Sequence, residues 1–304
     1  MAILVTGGTG YIGSELIRAL RADYPDETIR ILDNMMRERY VSLWDLKGPY
    51  EFVEGDVTSP VHIKNALDGV ETVIDLAGIT NAPISFERKD LTMNVNLGGV
   101  KNVIAALPDS VRKYIYASTA SVYGNTNGPE NENFDCRPQS PYGESKLLAE
   151  KEIENALDGS GIDATTLRLS TVYGWSVGMR FDTVVDRFAY LACIGMPLTV
   201  WESAWNEMRP YIHVKDCLRG LMLPMKQKME GKFNVLGQNA PLKDVIEAVK
   251  KAVPSTKVIT TPASKSRASY MLDDSRIRKL GFKPSYTLED GVREIRDKFS
   301  AFVK

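Results

Sequence analysis

The chain has 304 residues, 43% of them hydrophobic, enough for one large domain or two fused ones. Its 38 Lys and Arg stand against 39 Asp and Glu, which argues against a nucleic-acid partner, and no basic amphipathic stretch marks a membrane surface. No apolar run approaches the roughly 18 residues of a bilayer span, no signal peptide is expected ahead of the first strand, and Cys136, Cys193 and Cys217, without metal-ligand spacing, read as free thiols of a cytoplasmic protein that holds no metal.

Ile3-Leu4-Val5 is a short apolar run that predicts a buried strand. It leads into Thr6-Gly7-Gly8-Thr9-Gly10-Tyr11-Ile12-Gly13, after which Glu15 to Leu20 continue at helical period. Glycines in a strand-to-helix turn let the backbone approach a pyrophosphate at a helix N-terminus. The next strand, Ile29 to Leu32, is closed by Asp33, about 20 residues beyond Gly13, the spacing of the acid that binds an adenosine ribose. Such a carboxylate repels a 2′-phosphate and favours NAD. Arg37 and Arg39 follow closely and could offset that repulsion, so NADP stays open at this point.

Strand-like runs recur at Phe52-Val53, Val73 to Leu76, Tyr114 to Ala117 and Thr166 to Leu169, with helical stretches between them. The alternation predicts an α/β fold built on a Rossmann-type, doubly wound parallel sheet. Asp56-Val57 and Leu76-Ala77-Gly78 then fall at strand carboxyl ends, where ligands bind in such sheets.

Tyr142 stands four residues ahead of Lys146, on one face of a helix. A phenol ionises near pH ~10, so an adjacent ammonium is needed to make it a working base. His213 ends an alternating strand and His62 sits in a helix begun by Thr58-Ser59-Pro60; both read as structural. The stretches 242–249 and 288–295 show helical apolar spacing and read as structure too.

These segments, with Asn96 ahead of Gly99, Ser118-Thr119-Ala120-Ser121-Val122-Tyr123-Gly124, Ser140 to Lys146, Arg209 to Asp216 and Leu280 to Pro284, together resemble the extended short-chain dehydrogenase/reductase family, the NAD-dependent sugar-nucleotide epimerases and dehydratases. The resemblance implies Tyr142 as acid/base, Lys146 as the group that lowers its pKa and holds the nicotinamide ribose, and Thr119 as the hydroxyl on the reacting sugar oxygen. It implies a cofactor site of Gly7, Gly10, Tyr11, Ile12, Gly13, Asp33, Asn34, Asp56, Val57, Leu76, Ala77, Gly78 and Asn96 with Tyr142 and Lys146. A nucleotide-sugar substrate would meet Thr80, Thr119, Tyr142, Thr171, Arg209 and Arg267, the arginines because their planar fork suits a diphosphate. Residues 1–172 would form the NAD-binding domain and 173–304 a smaller C-terminal substrate-binding α/β portion, the two able to interleave. Leu147, Leu148 and Val103 lie on helices that pair in homodimers of the family.

Dehydratases that resemble this chain place a carboxylate directly after the Ser/Thr, because eliminating water needs a second base and an acid. Here Ala120 and Ser121 follow Thr119, and the glutamate usual in decarboxylases is missing too. What remains is C4 epimerisation, as in UDP-glucose/UDP-galactose 4-epimerases, or a keto-sugar nucleotide reductase or dehydrogenase; a non-catalytic nucleotide-binding regulator is the rival of another class. Thr171 replaces an asparagine usual in those epimerases, and Trp201 and Trp205 occupy a loop that is a short glycine-rich turn elsewhere, free to stack on a base or pack together. Met179-Arg180-Phe181-Asp182 is expected to begin a helix over the sugar site.

Overall fold

The computed structural model describes residues 2–262 and 269–303. Its central sheet has seven strands: β1 (Ala2–Thr6), β2 (Thr28–Asp33), β3 (Tyr50–Glu54), β4 (Val70–Asp75), β5 (Lys113–Thr119), β6 (Asp163–Leu169) and β7 (Gly231–Val235). They lie in the order β7-β6-β5-β4-β1-β2-β3, and each neighbouring pair is parallel. The order reverses between β1 and β4, and that switch point opens a crevice at the strand carboxyl ends. The α/β class expected from the alternation is the observed one.

Helices α1 (Tyr11–Asp23), α2 (Gly99–Ala105), α3 (Pro141–Leu157), α4 (Val184–Cys193), α5 (Val214–Lys226), α6 (Leu242–Ala252) and α7 (Leu288–Lys298) follow in chain order. Strand side chains alternate between two faces. Ile3 and Val5 of β1 join Leu16, Ile17 and Leu20 of α1 and Leu221 of α5 on one side. Leu4 points the other way, with Val100 and Val103 of α2 and Ala149 and Ile153 of α3. Each such fully buried aliphatic side chain contributes about 2 kcal/mol of burial free energy.

A third core unites α4, α6 and α7 with Tyr173 and Tyr211. A smaller three-stranded sheet (Thr171–Tyr173, Met208–His213, Gln238–Pro241) lies in this second half. The chain then recrosses position 172: β7, from the second half, pairs with β6 and becomes one edge of the central sheet. Val103 is fully buried between sheet and helices and belongs to the core. Among the described residues no helix is long and apolar enough to cross a membrane, and no group of His, Cys, Asp and Glu could hold a metal ion.

Candidate active site

A cleft of about 690 Å3 runs along the switch point. Gly7, Gly10, Tyr11, Ile12, Gly13, Asp33, Asn34, Val57, Leu76, Ala77, Gly78, Thr80, Thr119, Tyr142, Lys146 and Thr171 all line it. Asp56 stays outside the lining, where its carboxylate accepts from Asn34 Nδ2 (2.7 Å) and from the Thr58 hydroxyl (2.7 Å).

The glycine turn is packed too tightly for side chains. A Cβ on Gly13 would lie 2.3 Å from the Gly7 carbonyl oxygen, and one on Gly7, whose φ is +68°, 2.9 Å from the Ala77 nitrogen. Helix α1 starts from Gly10 with no side-chain cap and no acidic residue in its first turn. Its leading amides are therefore free for an anion, as a pyrophosphate needs. At the far end, Asp33 accepts from the Thr9 and Met35 amides, each at 3.0 Å. A carboxylate oxygen has two lone pairs, so both retain capacity for ribose hydroxyls. These residues fit a dinucleotide.

Asn96 does not line the cleft. It is buried in a π-helical turn, Asn94–Gly98, and accepts from the Ile79 amide (2.8 Å) while donating to the Ile79 carbonyl (3.1 Å) and the Ser145 hydroxyl (2.9 Å). It ties the end of β4 to α3, which fixes the wall beside Lys146.

Helix α3 is started by Ser140, whose hydroxyl accepts from the Gly143 amide at 3.1 Å, and by Pro141 in the first turn. The Tyr142 amide donates to Ser85 Oγ at 3.1 Å. These contacts hold the phenol, 9% exposed, beside Thr119 at the end of β5. Burial pushes the Tyr142 phenol above its ordinary value, while the Thr119 hydrogen bond and the charge of Arg180 pull it back. Lys146, one turn on, points to the end of β5 instead: its ammonium donates to the Ala117 carbonyl at 2.8 Å and lies 4.5 Å from the centre of the Tyr116 ring. Burial draws Lys146 down to about 8, against the opposing charges of Asp75 and Glu150.

The expected helix at Met179–Asp182 does not form; α4 begins only at Val184. Glycines 174 and 178 and a set of anchors hold residues 174–183 as an irregular strap instead, with a turn at 177–178. Tyr11 Oη donates to the Gly174 carbonyl (2.6 Å), Ser176 Oγ to the Tyr11 carbonyl (2.7 Å), and the Gly178 amide to Ser14 Oγ (3.0 Å). A Cβ on Gly178 would sit 2.5 Å from the Gly10 carbonyl oxygen. The strap then crosses the cleft: Arg180 donates to Thr80 Oγ1 (2.7 Å) and to Asp182 (2.5 Å), and Asn81 Nδ2 donates to Asp182 (3.2 Å). Sequence reasoning placed Arg180 over the sugar site without a contact; it missed Tyr270, which lines the cleft, and Ser14 and Ser176, which anchor the strap. The Ser-x-Gly run after Tyr173-Gly174 was the available signal.

Arg209 lies outside the cleft lining, 4.0 Å from Glu207, with its guanidinium over the ring of Tyr270, which does line the cleft. Arg267 lies outside the described residues. Trp205 packs against the third core and neither tryptophan lines the cleft, so this geometry does not place them on a base. His213 is buried against Tyr286 and Glu294, His62 Nδ1 accepts from the Asp56 amide, and neither lines the cleft.

The sequence profile described as the NAD dependent epimerase/dehydratase family matches residues 3–235. The chain is similar to UDP-glucuronic acid decarboxylase 1 of Danio rerio, with 26% identity over 310 residues, 98% of this chain and 72% of that protein. It is similar to dTDP-D-glucose 4,6-dehydratase of Mus musculus, with 26% identity over 314 residues, 96% and 86% of the two chains. Among solved structures, the Thermus thermophilus UDP-glucose 4-epimerase complex with NAD superposes with a TM-score of 0.84 at 26% identity, over 99% of both chains. The Thermotoga maritima UDP-glucose 4-epimerase, solved with UDP-glucose, gives 0.89 at 24% identity over 100% of both, a likeness of fold.

Proposed function

The chain belongs to the NAD-dependent epimerase/dehydratase family, and from that premise we propose that it is a nucleotide-sugar 4-epimerase of the UDP-glucose/UDP-galactose type. The observation that carries this reading is the wall beside Thr119. The two positions after it are Ala120, which is buried, and Ser121, and among the described residues the carboxylates lining the cleft are Asp33 and Asp182. Asp33 is at the adenosine end, and Asp182 is bound to Arg180 and Asn81. Dehydration needs a free base and a free acid flanking the sugar. Epimerisation needs one proton shuttle.

Bound NAD supplies a hydride acceptor that becomes the donor on the return. The chain supplies the rest. Tyr142 Oη removes the proton from the sugar 4-hydroxyl, with Thr119 Oγ1 holding the oxygen as the 4-keto sugar forms. Lys146 and Arg180 bring positive charge to the phenolate. The keto sugar turns within the cleft, and Tyr142 returns the proton on reduction of the opposite face. Gly7, Gly10, Gly13 and Asp33 hold the dinucleotide under the strap, so it stays bound between turnovers. The outer face of α3, with Leu148, would supply a homodimer contact, which the sedimentation mass of the purified protein tests.

The assay is purified protein with UDP-galactose in heavy water and no added cofactor. UDP-glucose should form with no deuterium at C5. Deuterium at C5 would indicate elimination chemistry, and failure to epimerise this or any other nucleotide sugar at C4 would sink the proposal.

A further inference from the structure

We propose that Asp75 is a positioning residue of this site: its buried carboxylate, touching neither substrate nor cofactor, holds Lys146 as an ammonium next to Tyr142. The inference rests on the roles given to Tyr142 and Lys146 above.

Asp75 ends β4 and is 2% exposed. Its oxygens accept from the Thr6 hydroxyl at 2.5 Å and the Tyr114 hydroxyl at 2.6 Å, both neutral donors. A carboxylate removed from water needs opposite charge as well as hydrogen bonds. Among the described residues the buried Lys and Arg side chains are Lys146 and Arg168. Arg168 is taken, since it pairs with Glu150 at 2.7 Å. Lys146 is left as the counter-charge of Asp75.

The sheet register places them together. Asp75 is the β4 partner of Tyr116 on β5, and the Lys146 ammonium lies over that same ring. A Cβ on Gly78, three residues past Asp75, would be 3.6 Å from Lys146 Nζ. The other titratable groups around it are Tyr116, whose ring it covers, and Tyr142 and Glu150 one turn either side on α3; Arg168 is paired with Glu150 and Tyr114 is bonded to Asp75 itself. The Tyr116 hydroxyl is buried without a hydrogen-bond partner and carries no charge to offer. Asp75 is also the first of the two charges that oppose the effect of burial on Lys146, ahead of Glu150. The four charges therefore balance beneath α3: Arg168 pairs directly with Glu150, while Lys146 and Asp75 offset one another across the Tyr116 position without touching.

The test is to titrate the Lys146 side-chain 15N resonance, assigned by its absence in Lys146→Arg, in protein without substrate. In Asp75→Asn its midpoint should fall by about one pH unit or more. Tyr114→Phe, which removes a hydrogen bond from the same carboxylate but leaves its charge, should lower the melting temperature without moving the midpoint. Asp75→Asn combined with Tyr114→Phe supplies a neutral pair without an unmatched phenol and should show the shifted midpoint even if the single variant does not fold. An unmoved Lys146 midpoint in either Asp75 variant would overturn the proposal. Because no turnover is needed, this result is separate from the epimerase reading. If that reading holds, Asp75→Asn should lose about tenfold in kcat above the new midpoint and recover as the pH is lowered through it.

Discussion

Where the cleft meets β1 its wall is made of backbone, and where it meets the strap its wall is made of side chains. Gly7, Gly10 and Gly13 shape the first wall by what they lack: no residue with a Cβ fits at Gly13 against Gly7 without moving the chain. The second wall is Arg180 reaching Thr80 and Asp182 reaching Asn81, side chains brought together from positions about a hundred residues apart in the chain. A backbone wall binds what every member of a family shares, here the dinucleotide. A side-chain wall can change residue by residue, and substrate choice is expected there.

Tyr142 stands where the walls meet, so Tyr142→Phe should give the largest effect: a fall in kcat of about 10³, with the bound dinucleotide, read from absorbance of the denatured protein, unchanged. Loss of dinucleotide as well would mean that the phenol belongs to the cofactor wall. Gly13→Ala attacks the backbone wall alone. It should destabilise the protein by about 1–3 kcal/mol in urea unfolding and empty it of dinucleotide. An alanine variant that purifies with full cofactor would break the comparison. Arg180→Ala attacks the other wall and should raise KM about tenfold, roughly 1.4 kcal/mol, and lower kcat as the Tyr142 phenol loses that charge, with cofactor content intact. Equal loss of cofactor would show that the walls are not separable.

The smallest effect concerns the strap's anchor. Glu294 accepts from the Trp175 amide at the start of the strap (3.4 Å), from Lys215 (2.5 Å) and is paired with His213 (3.0 Å). Burial alone would raise its carboxyl, but the hydrogen bonds of His213 and Lys215 hold it down at about 2, against an ordinary 4.5. A depressed carboxyl adds stability above its unfolded value and loses it as the pH falls through the folded one. Glu294→Gln should therefore cost about 1 kcal/mol at neutral pH, and the gap to the parent should close between pH 4.5 and about 2. A gap that persists at the acid end would assign the loss to packing.

The backbone wall was legible because its signal is local: a strand, a run of glycines and a helix within residues 3–20, then Asp33 at a fixed distance. Tyr142 and Lys146 were legible through the helical repeat. The strap was not, because Met179 to Asp182 has helix-compatible residues, and its anchors on Tyr11 and Ser14, distant in sequence, hold it out of a helix. Asn96 was placed at the right wall with the wrong contact, since a side chain that spends its amide on Ile79 and Ser145 looks in sequence like one that meets a ligand. Val103 shows the same ambiguity: apolar spacing on its helix marks a packed face and does not say what packs on it, and here it is the core. Asp75 gave no signal at all, because its role comes from cross-strand register.

The return of the chain to the sheet at Gly231–Val235 bears on how the protein is made. As synthesis proceeds from the N-terminus, β6 is complete while the strand that will cover its outer edge has not yet been translated. Until β7 arrives, a row of open amides and carbonyls on β6 is free to join any other strand, so the nascent first half is the stage most exposed to misassembly. Fragments ending near residue 172 should aggregate for the same reason, and a chaperone or a stalled ribosome would be expected to matter most in that interval.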